Sequence, residues 1–178
     1  MKTNLLAKTV FLLSVSLPPV ARGAPQLTLG SASVLQGQDS QLTLRLGGGV
    51  EPYGGVNATI TLPAGVSLTG VAAGPLLSGS GYTVLMQATA SGGTVIAYSG
   101  STTISSGNGI LLYLRLRVAP TATPGTYPAA FAVQNPAQPL ISAHALSNAD
   151  GSVAVTHTTL NGSITIAADS DHDGMSDA

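Results

Sequence analysis

No cysteine and no tryptophan occur in the 178 residues; charged side chains make up 7% and aromatic ones 4%. Without cysteine there is no disulfide framework and no thiol nucleophile, so the domain must stand on its own apolar core. Charge at 7% is far below the roughly 25% of ordinary soluble domains, and with it go the basic nucleic-acid binders, because nothing here neutralises a run of phosphates. The same scarcity removes the Glu, Lys and Arg on which long surface helices draw. A disordered chain is excluded as well: 44% hydrophobic residues and a net charge of −1 oppose a chain held open by self-repulsion. The remainder is small and uncharged. Ser, Thr and Ala, with 22 glycines and 11 prolines, suit short strands and tight turns. The length fits one principal domain.

The first residues read as a secretory signal. Lys2 and Lys8 precede an apolar run from Thr9 to Leu17 that is shorter than the roughly 20 residues of a membrane span. Pro18 and Pro19 break it, and Ala21 to Gly23 supply small residues for cleavage after Gly23. No later stretch is apolar enough for a membrane helix, so the mature product is expected to be secreted or held at the cell surface, without a membrane span of its own. Three of the six basic residues lie in that leader, leaving three against seven acids, a net −4. Four of those acids fall in the last ten residues. The body is formally neutral, with Arg45, Arg115 and Arg117 against Asp39, Glu51 and Asp150. The chain therefore divides into a signal peptide (1–23), a β domain (24–168) and an Asp-rich segment (169–178).

Within the body, apolar residues recur at every second position: Leu42, Leu44 and Leu46; Val56, Ala58, Ile60 and Leu62; Leu112, Leu114, Leu116 and Val118; Tyr127, Ala129, Phe131 and Val133. This is the period of a sheet with one buried face. Glycine-, proline- and asparagine-rich turns separate the runs. Asp150-Gly151 and Asn161-Gly162 predict hairpins into Val153–His157 and Ser163–Ile166. The stretch Thr94 to Tyr98 is apolar on both faces and predicts a central strand covered on both sides, with Tyr98 and Tyr127 in the core. The expected fold is an all-β, antiparallel β-sandwich of about nine strands, of jelly-roll type.

The run from Leu112 to Pro128, a long strand followed by a proline-flanked turn and a Gly125-Thr126-Tyr127 strand start, resembles the cohesin family. Gly37 to Asp39, Gly74 to Val84, Asn148 to Gly151 and Asn161 to Ile166 fit the same pattern in order, so the resemblance spans Gln26 to Ile166. It implies a nine-stranded, non-catalytic docking module, whose partners in the family are calcium-loaded dockerins of secreted polysaccharide-degrading assemblies. Direct glycan binding is the alternative, since related sandwiches serve carbohydrate-binding modules.

For a partner-binding face the candidates are Tyr53, in the loop Glu51 to Gly55, and Tyr113, Arg115 and Arg117, which project together from one face of a strand in a body short of charge. In the tail, Asp169, Asp171, Asp173 and Asp177 take the first, third, fifth and ninth positions of a calcium loop. Gly174 stands at the sixth, and Met175 offers its carbonyl at the seventh. The spacing resembles dockerin and thrombospondin type 3 loops and points to Ca²⁺ rather than a softer metal, because the convergent ligands are hard oxygens. The twelfth position falls beyond Ala178, so the set as written binds weakly. No Gly-x-Ser-x-Gly elbow, His-Glu-x-x-His pair or phosphate loop occurs. His144 and His157 read as structural strand residues, and the expectation is a protein that is not an enzyme.

Overall fold

The computed structural model describes residues 23–49, 51–104, 107–133, 143–169 and 175–176. Among them are twelve strands: β1 (Gln26–Leu29), β2 (Ser31–Leu35), β3 (Asp39–Gly47), β4 (Tyr53–Thr61), β5 (Val66–Ala73), β6 (Thr83–Thr89), β7 (Gly92–Tyr98), β8 (Gly109–Val118), β9 (Gly125–Phe131), β10 (His144–Asn148), β11 (Thr158–Leu160) and β12 (Gly162–Ala167). They form two sheets. The five-stranded one runs β11-β1-β3-β8-β5; the seven-stranded one runs β2-β12-β9-β4-β7-β6, with β10 also paired to β4.

The period-2 pattern does what it predicts in β3, β4 and β8; in the fourth run only Ala129 is buried, Tyr127 and Phe131 are half-buried, and Val133, past the end of β9, is 95% exposed. Leu42, Leu44 and Leu46 from β3, and Leu112, Leu114, Leu116 and Val118 from β8, meet Val56, Ala58 and Ile60 from β4 and Val95 and Ala97 from β7 in one apolar core between the sheets. At the bulge opposite Leu44 and Arg45, Leu111 is an extra residue in β8, so that Leu111 and Leu112 are both buried.

Twelve strands replace the expected nine mainly because two segments change sheets midway. The first crosses at Gly30, from β1 in one sheet to β2 in the other, and the last crosses at Asn161, from β11 to β12. The two crossings lie against each other: a Cβ on Gly162 would collide with the carbonyl of Gly30, so only glycine permits this approach. Paired this way, β1 with β11 and β2 with β12 run parallel, and the sandwich is mixed rather than wholly antiparallel.

Two turn expectations separate here. Asp150-Gly151 does turn the chain, with Gly151 at φ 76. Asn161-Gly162 marks the sheet crossing instead of a hairpin; Asn161 Oδ1 accepts a hydrogen bond from the Phe131 amide at 3.0 Å. The segment Val153–His157 forms no strand and holds to β10 through the Ser147–Ala154 bridge and the Val155 amide donating to the Leu146 carbonyl at 2.7 Å. The predicted signal peptide, except for Gly23, lies outside the described residues.

Candidate docking face

Among the described residues, every Asp, Glu, Lys or Arg that stands in a strand stands in the five-stranded sheet: Asp39 and Arg45 in β3, Arg115 and Arg117 in β8. The strands of the seven-stranded sheet carry none, and its outer face presents hydroxyls at one end and apolar side chains at the other. At the hydroxyl end, Thr126 pairs with Thr165 at 2.9 Å, and Ser163 donates to Ser31 at the same distance. At the other end the register aligns Leu85, Ile96, Asn57 and Ala145 across β6, β7, β4 and β10, and beside them Thr83, Tyr98, Gly55 and Ser147. Leu85, Ile96 and Tyr98 are 50%, 37% and 48% exposed.

This overturns one expectation. Thr94 to Tyr98 is apolar on both faces, as its sequence says, but only Val95 and Ala97 are covered. Ile96 and Tyr98 face outward, because β7 lies between β4 and β6 with nothing stacked on that side among the described residues. Tyr127, the other tyrosine placed in the core, is half-buried.

Tyr53 is a second correction. It is 1% exposed and packs in the core, so it forms no part of a surface. It is not a loop residue but the first of β4: Tyr53 exchanges backbone hydrogen bonds with Ile104 at 3.0 and 2.7 Å, and Asn148 of β10 pairs with it from the other side. Burial, and next the charge of Glu51, holds its phenol above the ordinary value. Tyr113, Arg115 and Arg117 do share the outer face of the five-stranded sheet. Tyr113 is half-buried, the aliphatic stem of Arg115 lies over Gly70, and Arg117 donates to Asp39 Oδ1 at 3.1 Å.

Two polar features lie off these faces. His144 Nδ1 and His157 Nε2 are 2.9 Å apart, and His157 Nδ1 is 2.8 Å from the Val155 carbonyl. A carbonyl only accepts, so His157 Nδ1 carries the proton, its Nε2 accepts, and His144 donates from Nδ1. Burial, and then the neighbouring ring, lowers the His144 pKa. The sequence placed these histidines at strand ends thirteen residues apart in the chain, where β10 and the approach to β11 bring them together. Of the expected calcium ligands, Asp171, Asp173 and Asp177 lie outside the described residues. Asp169 is 2% exposed, its amide donates to Gln36 Oε1 at 3.2 Å, and its Oδ1 is buried without a hydrogen-bond partner. Met175 is exposed. Among the described residues no three His, Asp or Glu side chains gather as a metal site, and no helix is long and apolar enough to cross a membrane.

No family model matches the chain, and neither does any curated protein. Solved structures do. A non-cellulosomal cohesin from the archaeon Archaeoglobus fulgidus is similar at TM-score 0.63 and 21% identity, over 84% of this chain and 96% of that one. The fold is cohesin-like. Similar too are a solution structure from Clostridium acetobutylicum (TM-score 0.63, 19% identity, 82% of this chain and 92% of that one) and a type I cohesin–dockerin complex from Clostridium thermocellum (TM-score 0.60, 14% identity, 81% and 99%).

Proposed function

We propose that this cohesin-like chain is an exported, non-catalytic docking module that binds a dockerin-type protein through the outer face of β6, β7 and β4, in an extracellular setting of polysaccharide handling. One observation carries the reading. Leu85, Ile96 and Tyr98 form a contiguous exposed apolar patch on a face whose strands hold no Asp, Glu, Lys or Arg. Large apolar and aromatic side chains grouped on a rigid sheet, rimmed by hydroxyls, are the surface on which partners dock, whereas a polar strand face is well solvated alone. Support for the partner class comes from the dockerin-bound state of a neighbour of the same fold. The Tyr113–Arg115–Arg117 face is the rival surface.

The test is capture of a panel of dockerin modules by the purified chain. Ile96→Asp places a charge in the patch centre and is expected to weaken capture about a hundredfold, because desolvating a carboxylate in an apolar contact is costly. Arg115→Ala with Arg117→Ala is expected to change it less than threefold. The reverse ranking moves the interface to the other sheet, and retention on insoluble polysaccharide with no dockerin bound replaces protein docking by glycan binding.

We infer also that Asp169, Asp171, Asp173, Asp177 and the Met175 carbonyl take Ca²⁺. A carboxylate oxygen buried without a donor is unfavourable unless a cation compensates it, and Asp169 is in that position at the first place of the loop pattern. Calcium near a hundred times its dissociation constant would stabilise by about 2.7 kcal/mol, roughly 5–10 °C in a domain of this size. Asp169→Asn should abolish that response and, in chelator, melt no lower than the parent. An unchanged parent melting temperature with and without calcium refutes the site.

A further inference from the structure

The apolar patch borders a trough that the docking reading alone does not account for. Gly54 and Gly55 stand together at the start of β4, where a Cβ on Gly54 would meet the Asn148 carbonyl at 2.5 Å and one on Gly55 the Ala97 carbonyl at 2.8 Å. The tight approach of β10 and β7 requires glycine at both positions. It also leaves Gly55 with no side chain between Tyr98 on one side and Ser147 on the other. The result is a depression of about 240 Å³, walled by Ile96 and Tyr98 from β7 and by Ala145 and Ser147 from β10.

The turn Ala149-Asp150-Gly151 also lines the trough, and among the described residues Asp150 is the only charged one that does. The carboxylate is fixed. Asp150 Oδ1 accepts from the Ser152 amide at 2.9 Å and from the Ser152 hydroxyl at 2.5 Å. These bonds, the hydroxyl first, favour the ionised form and hold its pKa below the ordinary value. Tyr98 and Asp150 therefore border the same depression.

We propose that this trough is the seat of a lysine or arginine side chain projected by the docking partner, with Tyr98 against its stem or cationic head and Asp150 as counter-ion. The proposal rests on the docking reading and names the chemistry the partner must bring. Three features favour this occupant. The volume is below the roughly 300–1,000 Å³ of sites that enclose small molecules, and suits one long side chain. Among the described residues Tyr98 is the only aromatic one lining the trough, while a stacked glycan chain calls for a wider aromatic platform. The charge is negative, set beside strands with no charge of their own, so a cation gains from both the carboxylate and the ring.

The test uses the full chain, isotope-labelled, titrated with N-acetyl-lysine methylamide, N-acetyl-arginine methylamide, their uncharged norleucine counterpart and cellobiose, with amide shifts of Gly54, Gly55, Tyr98 and Gly151 as readout. Saturable shifts from the two cations, absent with norleucine, are expected. Asp150→Asn keeps an oxygen for the Ser152 donors and should weaken the cation response about threefold to tenfold. Tyr98→Leu keeps apolar bulk and should weaken it less. Equal responses to cation and norleucine, or a cation response untouched in Asp150→Asn, overturn the proposal. Cellobiose shifts indifferent to Asp150→Asn overturn it in favour of a glycan. A dockerin captured equally by parent and Asp150→Asn, but lost in Ile96→Asp, refutes the cation seat while the docking reading stands.

Discussion

The two outer faces of this sandwich are built on the same inner pattern and differ in what they show to water. Behind the five-stranded face, β8 alternates Leu112, Leu114, Leu116 and Val118 inward with Tyr113, Arg115 and Arg117 outward. Behind the seven-stranded face, β7 alternates Val95 and Ala97 inward with Ile96 and Tyr98 outward. The first is the arrangement of a half-buried strand satisfied by solvent. The second leaves large apolar groups exposed on a flat surface, a cost that a solitary domain has no reason to carry. Inward residues hold the domain together, and the outward ones distinguish a polar face from one that presents large apolar groups to water.

The largest effect should separate inside from outside at the same residue type. Leu114 is 1% exposed and paired with Leu42 and Val71 in the centre of the five-stranded sheet, so Leu114→Ala should cost about 2–5 kcal/mol in chemical denaturation. Leu85, half exposed on β6, should cost within about 0.5 kcal/mol when changed to Ala. If Leu85→Ala proves as damaging as Leu114→Ala, the seven-stranded face is covered by the chain itself and the contrast between faces fails.

Much of this was legible beforehand, and the exceptions have physical causes. Period-2 alternation identified the buried sides of β3, β4 and β8, because a one-residue slip would put every leucine in water. The cohesin-like order of strands and turns could be read from Gly37–Asp39 through Asn161–Ile166. Alternation says nothing of whether a second apolar face is covered, so Ile96 and Tyr98 carry the pattern of core residues and yet stand at the surface. Nor does it report partners distant in sequence: Tyr53 resembled a loop residue because its bond to Ile104 and its pairing with Asn148 are long-range. The Gly54–Gly55 trough needed the register of β4, β7 and β10 together. Asn161-Gly162 carried a hairpin signal, yet the chain there passes from one sheet to the other. The spacing of Asp169 stands out in the sequence, but its burial, with its amide bonded to Gln36 far away in the chain, does not.

A smaller effect tests how the two sheets are joined. His144 begins β10 in the seven-stranded sheet, and His157 precedes β11 in the five-stranded one, so their 2.9 Å contact ties the two layers at one corner. The folded state holds the His144 pKa below the ordinary 6.5. The unfolded chain then binds more protons as the pH falls below that value, so this contribution is complete above pH 6.5 and declines as the pH drops toward the depressed folded pKa. Thermal melts between pH 7.5 and pH 5 should fall with acidity, and less steeply in His144→Asn. Parallel curves for parent and variant would remove the histidine pair as the source.

The smallest effect concerns the charges that distinguish the five-stranded face. Arg117 and Asp39 meet at 3.1 Å, but their side chains are 51% and 72% exposed. An ion pair so wet gains little, because water screens the attraction and both side chains lose rotamer freedom in making it. Asp39→Asn should therefore change stability by less than about 1 kcal/mol, and raising salt to about 1 M, where the Debye length shrinks to roughly 3 Å, should erase the difference. The same substitution should leave dockerin capture within twofold at every salt concentration. A larger stability loss would mean that the polar face is held by its charges rather than merely wetted through them. A salt-dependent loss of capture would place the partner there, leaving the exposed Ile96 and Tyr98 without the role their position gives them.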